Sequence, residues 1–423
     1  VIGIDNKRNA VIVRMGSGRG EIKIENMTWA RKPDSEIAYF ESKVKKVSEV
    51  LDIGDVILVK AKTKLDEAFW GLVLEQTPKV QSALLCIEAE TGHVKAMIGG
   101  RNFATSEFNR AIQSKRQPGS AFKPIIYAAA IDKGYTTATL LIDSPVVFHD
   151  IERDFTWKPR NYGGKFYGPT LLRKALAKSR NVVTIKILKD IGIEYVIEYA
   201  KKLGIKSELS RNYSIALGSS GISLLELVSA FSVFANKGYF IEPVFITKVV
   251  DRDGNILEES SFKKEKIIDK TTAYIMTSLL ESVVKDGTGH RVRALNRPAA
   301  GKTGTTNNLY DAWFVGYTPN YITGIWVGFD EEKSLSKGET GSRAASPIWL
   351  GFMKKILEGK PVRVFENSEG IVFSKIDAET GLLPTAESKE TIIECFKEGT
   401  VPTEYSKKSA LVTGEQDIFK KDM

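Results

Sequence analysis

An order of patterns sets the strongest limit on what this chain can fold into. An apolar hairpin comes early, a long helical block follows, and a strand-rich stretch closes the main body. The hairpin pairs Leu84-Leu85-Cys86-Ile87 with Val94-Lys95-Ala96-Met97-Ile98, and Glu90-Thr91-Gly92 turns between them. Helical segments run from about residue 171 to 235, broken at Ser179-Arg180-Asn181 and near Leu217-Gly218, and another spans about 272–284. Three strands follow: Lys302-Thr303-Gly304-Thr305-Thr306, Ala312-Trp313-Phe314-Val315-Gly316-Tyr317, and a third from Tyr321 to Phe329 after the turn Thr318-Pro319-Asn320. Strands from both ends can meet in one antiparallel sheet with the helices packed on it. The fold class is therefore α+β, with an all-helical subdomain.

Ahead of that body, residues 1–75 read as short strands. Val11-Ile12-Val13, Glu21-Ile22-Lys23-Ile24, Val56-Ile57-Leu58-Val59-Lys60 and Trp70-Gly71-Leu72-Val73-Leu74 are separated by turn residues. A small β-barrel of OB-like type fits, with no obvious aromatic platform. Residues 76–360 form the main domain, and 361–423 are a C-terminal extension. A second Glu-Thr-Gly turn, Glu379-Thr380-Gly381, places a β-hairpin in that extension. Residues 251–270 read as a charged loop. The 423 residues suffice for two or three domains.

Composition excludes more than it selects. The net charge of +9 comes from scattered lysines, with no basic-aromatic nucleic-acid motif. No apolar run reaches the roughly 20 residues that span a bilayer, and there is no signal-peptide pattern. Since the chain starts at Val1, any anchor is expected upstream. Cys86 and Cys395 give neither metal spacing nor a disulfide framework, and Cys86 reads as a buried thiol. With His93, His149 and His290 far apart, a zinc site or a Ser-His-Asp triad has little support.

Chemistry concentrates in Gln117-Pro118-Gly119-Ser120-Ala121-Phe122-Lys123-Pro124. The run from Ile125 to Ile131 predicts a buried helix ending at Gly134, with Pro124 tolerated in the first turn. Ser120 and Lys123 then share one face, one turn apart, at the positive end of the helix. A hydroxyl beside an amine there is an activatable nucleophile. The S-x-x-K pattern starts at Ser42, Ser120, Ser260, Ser261, Ser282 and Ser334, but only Ser120 opens a small, apolar helix. A second pattern, S-x-N, occurs at Ser179-Arg180-Asn181, between helices, and at Ser210-Arg211-Asn212, which reads as a polar turn. The third, Lys302-Thr303-Gly304, occurs once. Lys302 and Gly304 share one strand face, Thr303 and Thr305 alternate with it, and Gly304 leaves room for a ligand backbone.

The order S-x-x-K, S-x-N, K-T-G, with 59 residues from Ser120 to Ser179 and 121 from Asn181 to Lys302, resembles the set shared by penicillin-binding proteins and serine β-lactamases. Residues 76–357 resemble the transpeptidase domain of class A penicillin-binding proteins. Pro159-Arg160-Asn161-Tyr162, Ala216-Leu217-Gly218, Phe234-Ala235-Asn236-Lys237-Gly238 and Gly287-Thr288-Gly289 add to the likeness. The first 75 residues look like the OB-like region beside that domain in some members. The acidic motifs of the family's glycosyltransferase half are absent from this chain.

The resemblance implies a D,D-transpeptidase that cross-links peptidoglycan stem peptides through a Ser120 acyl-enzyme and is inhibited covalently by β-lactams. Lys123 is the implied base, made neutral by burial and by the charge of Lys302. Ser179 relays a proton, and Asn181 holds a substrate amide or orients Lys123. Lys302, Thr303 and Thr305 take the substrate carboxylate, while the N–H groups of Ser120 and Thr305 form the oxyanion hole. No cofactor or metal is implied. The implied location is the extracytoplasmic face of the bacterial membrane. The rivals are a β-lactamase or D,D-carboxypeptidase, which lacks a convincing deacylating glutamate here (Glu208 sits in a polar turn), and a β-lactam-sensing receptor.

Overall fold

The computed structural model describes residues 1–16, 18–150, 155–260 and 263–407. The early hairpin and the late strands meet. Ala300–Thr305, Asp311–Tyr317, Tyr321–Gly328, Gln81–Glu88 and Val94–Ile98 lie side by side in that order, each neighbouring pair antiparallel. Tyr321 stands opposite Glu88 and Gly328 opposite Gln81, so the hairpin continues the late meander without a gap.

Period-two alternation sorts the sheet's side chains into two layers. Leu85, Ile87, Trp313, Val315, Ile322 and Trp326 join one buried cluster. Leu84, Cys86, Phe314, Ile325 and Val327 join another. With both faces covered, Asp311–Tyr317 and Tyr321–Gly328 are buried at every position. That burial explains why they read as continuous apolar runs rather than alternating ones.

The first layer is built from α1 (Lys123–Asp132), α2 (Leu172–Ala177), α3 (Asn181–Ile191), α4 (Ile193–Lys202), α5 (Leu224–Ala235) and α6 (Lys270–Lys285). The second is built on α7 (Ser346–Ile356), whose buried Trp349 donates its indole N–H to Thr323 O at 2.9 Å. Helix α1 is buried on all sides from Lys123 to Ile131, and a helix apolar all round belongs inside a core. Pro124 lies in its first turn, and Gly134, at φ +99°, follows its end.

The helical block is more broken than its apolar pattern suggests. Gly192, at φ +92°, separates α3 from α4, and residues 203–223 hold only a 3-10 turn at Tyr213–Leu217. The charged stretch read as a loop contains short exposed strands, Ile256–Glu259 and Lys264–Lys266, whose polar faces carry no apolar periodicity.

The N-terminal residues form one sheet in the order Gly3–Asp5, Ala10–Met15, Gly18–Lys23, Phe69–Glu75, Leu58–Asp66. Val11, Val13, Ile22, Val47, Leu72 and Leu74 fill its core. The closed barrel expected from the sequence is corrected to an open sheet. Among the described residues, no ladder joins Gly3–Asp5 to Leu58–Asp66. The edge near Gly3–Asp5 instead meets the turn before the last strand, where Gly54 N–H donates to Val1 O at 3.0 Å.

In the C-terminal extension, Ile371–Asp377 pairs with Thr391–Lys397; residues 408–423 of that extension lie outside the described ones. One buried ion pair ties the hairpin to the helices. Arg173 at the start of α2 grips the fully buried Glu394 through Nε and Nη2, both at 2.5 Å, and its Nη1 donates to Ser278 O at 2.8 Å and Ser282 Oγ at 2.7 Å in α6. Arg173→Met strands the Glu394 carboxylate, and denaturant unfolding should show a loss of about 3–5 kcal/mol. The pair replaced together, Arg173→Met with Glu394→Leu, should recover most of it. A single variant as stable as the parent contradicts this anchoring.

Candidate active site

Pro118 and Gly119 bend the chain into a 3-10 turn, Gly119–Phe122, that runs straight into α1. Ser120 sits in this turn and Lys123 opens the helix. The turn is clasped by backbone on two sides. A Cβ on Gly119 would fall 2.5 Å from Thr305 O, and one on Gly218 would fall 2.2 Å from Gly119 O. Both glycines have positive φ, at +55° and +65°. Gly304 belongs to the same clasp, because its Cβ would lie 2.2 Å from Pro118 O. The room at Gly304, read from the sequence as space for a ligand, is therefore taken by the Ser120 turn. Trp313 completes the contact by donating its indole N–H to Gln117 O at 2.8 Å.

Two lysines converge beneath this turn, both fully buried. Lys123 Nζ donates to Asn181 Oδ1 at 2.7 Å, Ser179 O at 2.8 Å and Ser179 Oγ at 3.3 Å. From the strand, Lys302 Nζ donates to the same Ser179 Oγ at 2.9 Å and to Thr303 O at 3.0 Å. One hydroxyl thus bridges two amines. Ser179 reaches this place at φ +56°, a left-handed conformation uncommon outside glycine. Burial, then the charges of Lys302 and Arg180, hold Lys123 well below the ordinary lysine range. Burial brings Lys302 down to about 7. Among the described residues, no hydrogen bond joins Lys123 to Ser120 Oγ, since its donors point to Ser179 and Asn181.

Asn181 is the first residue of α3, and the structure shows what the sequence did not: who holds it. Asn161 Oδ1 accepts the N–H groups of Asn181 at 2.8 Å and Val182 at 3.3 Å, donors that have no partner within the helix. Asn161 Nδ2 in turn donates to both carboxylate oxygens of buried Asp143 at 2.8 Å and to Lys165 O at 2.9 Å. Asn181 Nδ2 donates to Arg160 O at 3.0 Å. Next to it, the Arg180 guanidinium lies 3.2 Å from the centre of the Tyr167 ring. The Pro159-Arg160-Asn161-Tyr162 stretch carried a likeness but no role, and Asp143 carried no signal.

On the other side of the strand, Thr303 Oγ1 lies 2.6 Å from Thr288 Oγ1, which places the Gly287-Thr288-Gly289 turn against it. Thr305 Oγ1 accepts the Gly341 N–H at 3.0 Å. Thr306 N–H bonds Asp311 O, so the strand register turns the Thr305 N–H away from its partner strand, toward the edge where the Ser120 turn packs.

The other pattern matches go elsewhere. Ser210 Oγ accepts from Ser220 Oγ, and Asn212 caps the 3-10 turn by accepting Ser214 N–H at 2.9 Å. Ser282 accepts from Arg173, Ser334 accepts Ser336 N–H at 3.2 Å, Ser42 lies in the N-terminal region and Ser260 is exposed. Ser261 lies outside the described residues. Glu208 is exposed, and Cys86 is buried with its thiol pushed up to about 11 by that burial.

Residues 83–358 match the family described as the penicillin binding protein transpeptidase domain. The chain belongs to this family. Residues 1–80 match the penicillin-binding protein OB-like domain, and 367–410 match the C-terminal domain of penicillin-binding protein 1A. Penicillin-binding protein 1A of Pseudomonas aeruginosa is 36% identical over 449 residues, covering 94% of this chain and 54% of its own length. That of Aquifex aeolicus is 40% identical over 328 residues, covering 78% of this chain and 45% of its own. The chain thus spans about half the length of the curated relatives it matches. Among solved structures, penicillin-binding protein 1A from Haemophilus influenzae superposes with a TM-score of 0.80 at 28% identity, covering 94% of this chain and 63% of that one. The PonA1 protein from Mycobacterium tuberculosis in complex with penicillin V gives 0.61 at 27%, covering 69% of this chain and 81% of that one.

In this penicillin-binding fold the glycine clasp sets the distance between the Ser120 turn and the Lys302 strand. Gly304→Ala should push the two apart, lowering stability by about 1–3 kcal/mol as overpacked cores do. Covalent labelling by a fluorescent penicillin should fall with it. A variant that unfolds and labels like the parent contradicts the clasp.

Proposed function

We propose that this chain carries a peptidoglycan D,D-transpeptidase that works through a Ser120 acyl-enzyme and is blocked by β-lactams. The observation that carries this reading is the Ser179 hydroxyl held between two buried lysines next to the Ser120 turn. The division near residues 75 and 360, the stem-peptide substrate and the extracytoplasmic location belong to the same proposal. Among the described residues, no helix is long and apolar enough to cross a membrane.

Neutral Lys123 takes the Ser120 hydroxyl proton as Oγ attacks the carbonyl of the penultimate D-Ala. The carbonyl's π electrons move onto its oxygen, facing the N–H groups of Ser120 and Thr305, each worth roughly 3 kcal/mol in such a hole. As the intermediate collapses, the C–N bond breaks. The leaving D-Ala amine receives its proton through Ser179, which touches both lysines, a transfer that typically contributes about 10²–10⁴-fold. An amine from a second stem peptide then attacks the ester and gives up a proton, and Ser120 regains its own. The substrate carboxylate fits Lys302, still charged in its lower pH range, and the Thr305 hydroxyl. The Thr303 hydroxyl, engaged with Thr288, steadies the strand from its outer side. Asn181 orients Lys123 through its 2.7 Å hydrogen bond. Gly304 contributes the packing of the nucleophile's turn.

Rapid hydrolysis of the ester needs a base to activate water, and Glu208 is exposed on a loop. The adduct should therefore persist. After incubation with penicillin and removal of free drug, intact mass should show one penicilloyl group, mapped to the Ser120 peptide and stable for hours. Ser120→Ala should show none. Loss within seconds with repeated turnover makes the chain a hydrolase, and an adduct on another serine refutes the nucleophile.

A further inference from the structure

The N-terminal sheet sends a loop onto the edge of the proposed acyl-transfer site. Residues 31–41 leave that domain and meet residues 335–343 of the transpeptidase body. Ser35 O accepts the Lys337 N–H at 2.8 Å. Ala38, buried to 1% exposure in a loop of mostly exposed residues, lies with Phe40 over Gly338, whose added Cβ would be 3.6 Å from Ala38 Cβ and 3.4 Å from Phe40 Cε1. Arg343 stacks on the Phe40 ring with its guanidinium carbon 3.9 Å from the ring centre.

The segment so gripped reaches the site within a few residues. Gly341 lies between Gly338 and Arg343, and a Cβ on it would fall 2.4 Å from Gly304 O and 2.2 Å from Trp313 O. Its N–H donates to Thr305 Oγ1 at 3.0 Å. A hydroxyl that accepts on one side has its own proton left for a ligand, so this bond aims the Thr305 O–H toward a substrate carboxylate. Nothing in the strand itself fixes that rotor.

We propose that the 35–40 loop of the OB-like domain is a positioning element of the transpeptidase site, with Phe40 and Arg343 holding the 335–343 segment so that Gly341 orients Thr305 for the substrate carboxylate. This rests on the acyl-transfer reading at Ser120 and assigns the N-terminal domain a part in substrate affinity. Phe40 and Arg343 act through Gly341 and Thr305. A cation over a ring at an exposed site contributes only modestly, but a Thr305 hydroxyl turned away from the substrate carboxylate forfeits a charge-assisted hydrogen bond, one of the stronger kinds, and so weakens binding.

The test measures acylation of the full chain by a fluorescent penicillin over a range of drug concentrations, which separates the half-saturating concentration from the limiting rate. Phe40→Ala should raise the half-saturating concentration about tenfold and leave the limiting rate within about twofold, while Phe40→Trp retains parental behaviour. Arg343→Ala should reproduce Phe40→Ala, which guards against a folding defect in one variant, and the double variant should be no worse than either. In a double-mutant cycle, Phe40→Ala should add nothing to Thr305→Ala. If Phe40→Ala only lowers the melting temperature, or adds fully to Thr305→Ala, the inference is overturned while the acyl-enzyme stands. If the parent chain is not acylated, both fall.

Discussion

Everything in this structure that bears on chemistry depends on taking two lysines out of water and setting one hydroxyl between them. A lysine ammonium is strongly hydrated, and burial without a carboxylate partner favours the neutral amine. Lys123 and Lys302 are both fully buried, and the groups they touch are a hydroxyl, an amide oxygen and backbone carbonyls rather than acids. The charge of Lys302 adds to the burial of Lys123 and holds it well below the ordinary lysine range, while burial brings Lys302 to about 7. The pair can thus offer a base and a cation a few ångströms apart at the same pH. The arrangement costs stability. The folded protein holds these protons less tightly than the unfolded chain, so the penalty is full below the folded pKa, where a charged amine stays buried, and fades as pH rises toward the ordinary lysine value.

The fold supplies the dry, rigid surroundings that this requires. Helix α1 is a strand-like apolar run wound into a helix and buried on every side, so Lys123 at its start inherits that burial. Lys302 enters from an edge strand whose neighbours are buried on both faces. Glycines at 119, 218, 304 and 341 let four pieces of backbone close to distances that any Cβ would forbid. Ser179, at positive φ, is the strained joint that lets a break between helices point inward.

The parts legible in the sequence were those with a local cause. The short apolar runs around Leu85, Trp313 and Ile325, each bounded by turn residues, announced one sheet, and the Ser120 stretch announced its helix and its end at Gly134. The Ser179 break could be preferred to the Ser210 one only by its apolar flanks, and the structure puts Ser179 Oγ on both lysines while Ser210 bonds Ser220. Contacts without a local signature stayed hidden. Asn161 caps α3 from 20 residues away, and its holder Asp143 lies 18 residues further back. Gly304 was recognisable as a close approach, but not as an approach by Pro118. Barrel closure was misjudged because strand pattern says nothing about whether the first and last strands share hydrogen bonds.

Burial lowers both lysines from the ordinary ammonium range, which lets one of them act as a base beside the other. Titration of the chain labelled with ¹⁵N-lysine reads it directly, with Nζ signals of Lys123 and Lys302 assigned from single arginine variants. Two lysines should titrate below the roughly 10.4 of an ordinary side chain: Lys302 near 7, and Lys123 well below the ordinary range. Replacing Lys302 by methionine should move the Lys123 transition upward, because a positive neighbour is gone. Two ammonium groups that both persist to pH 10 would contradict it.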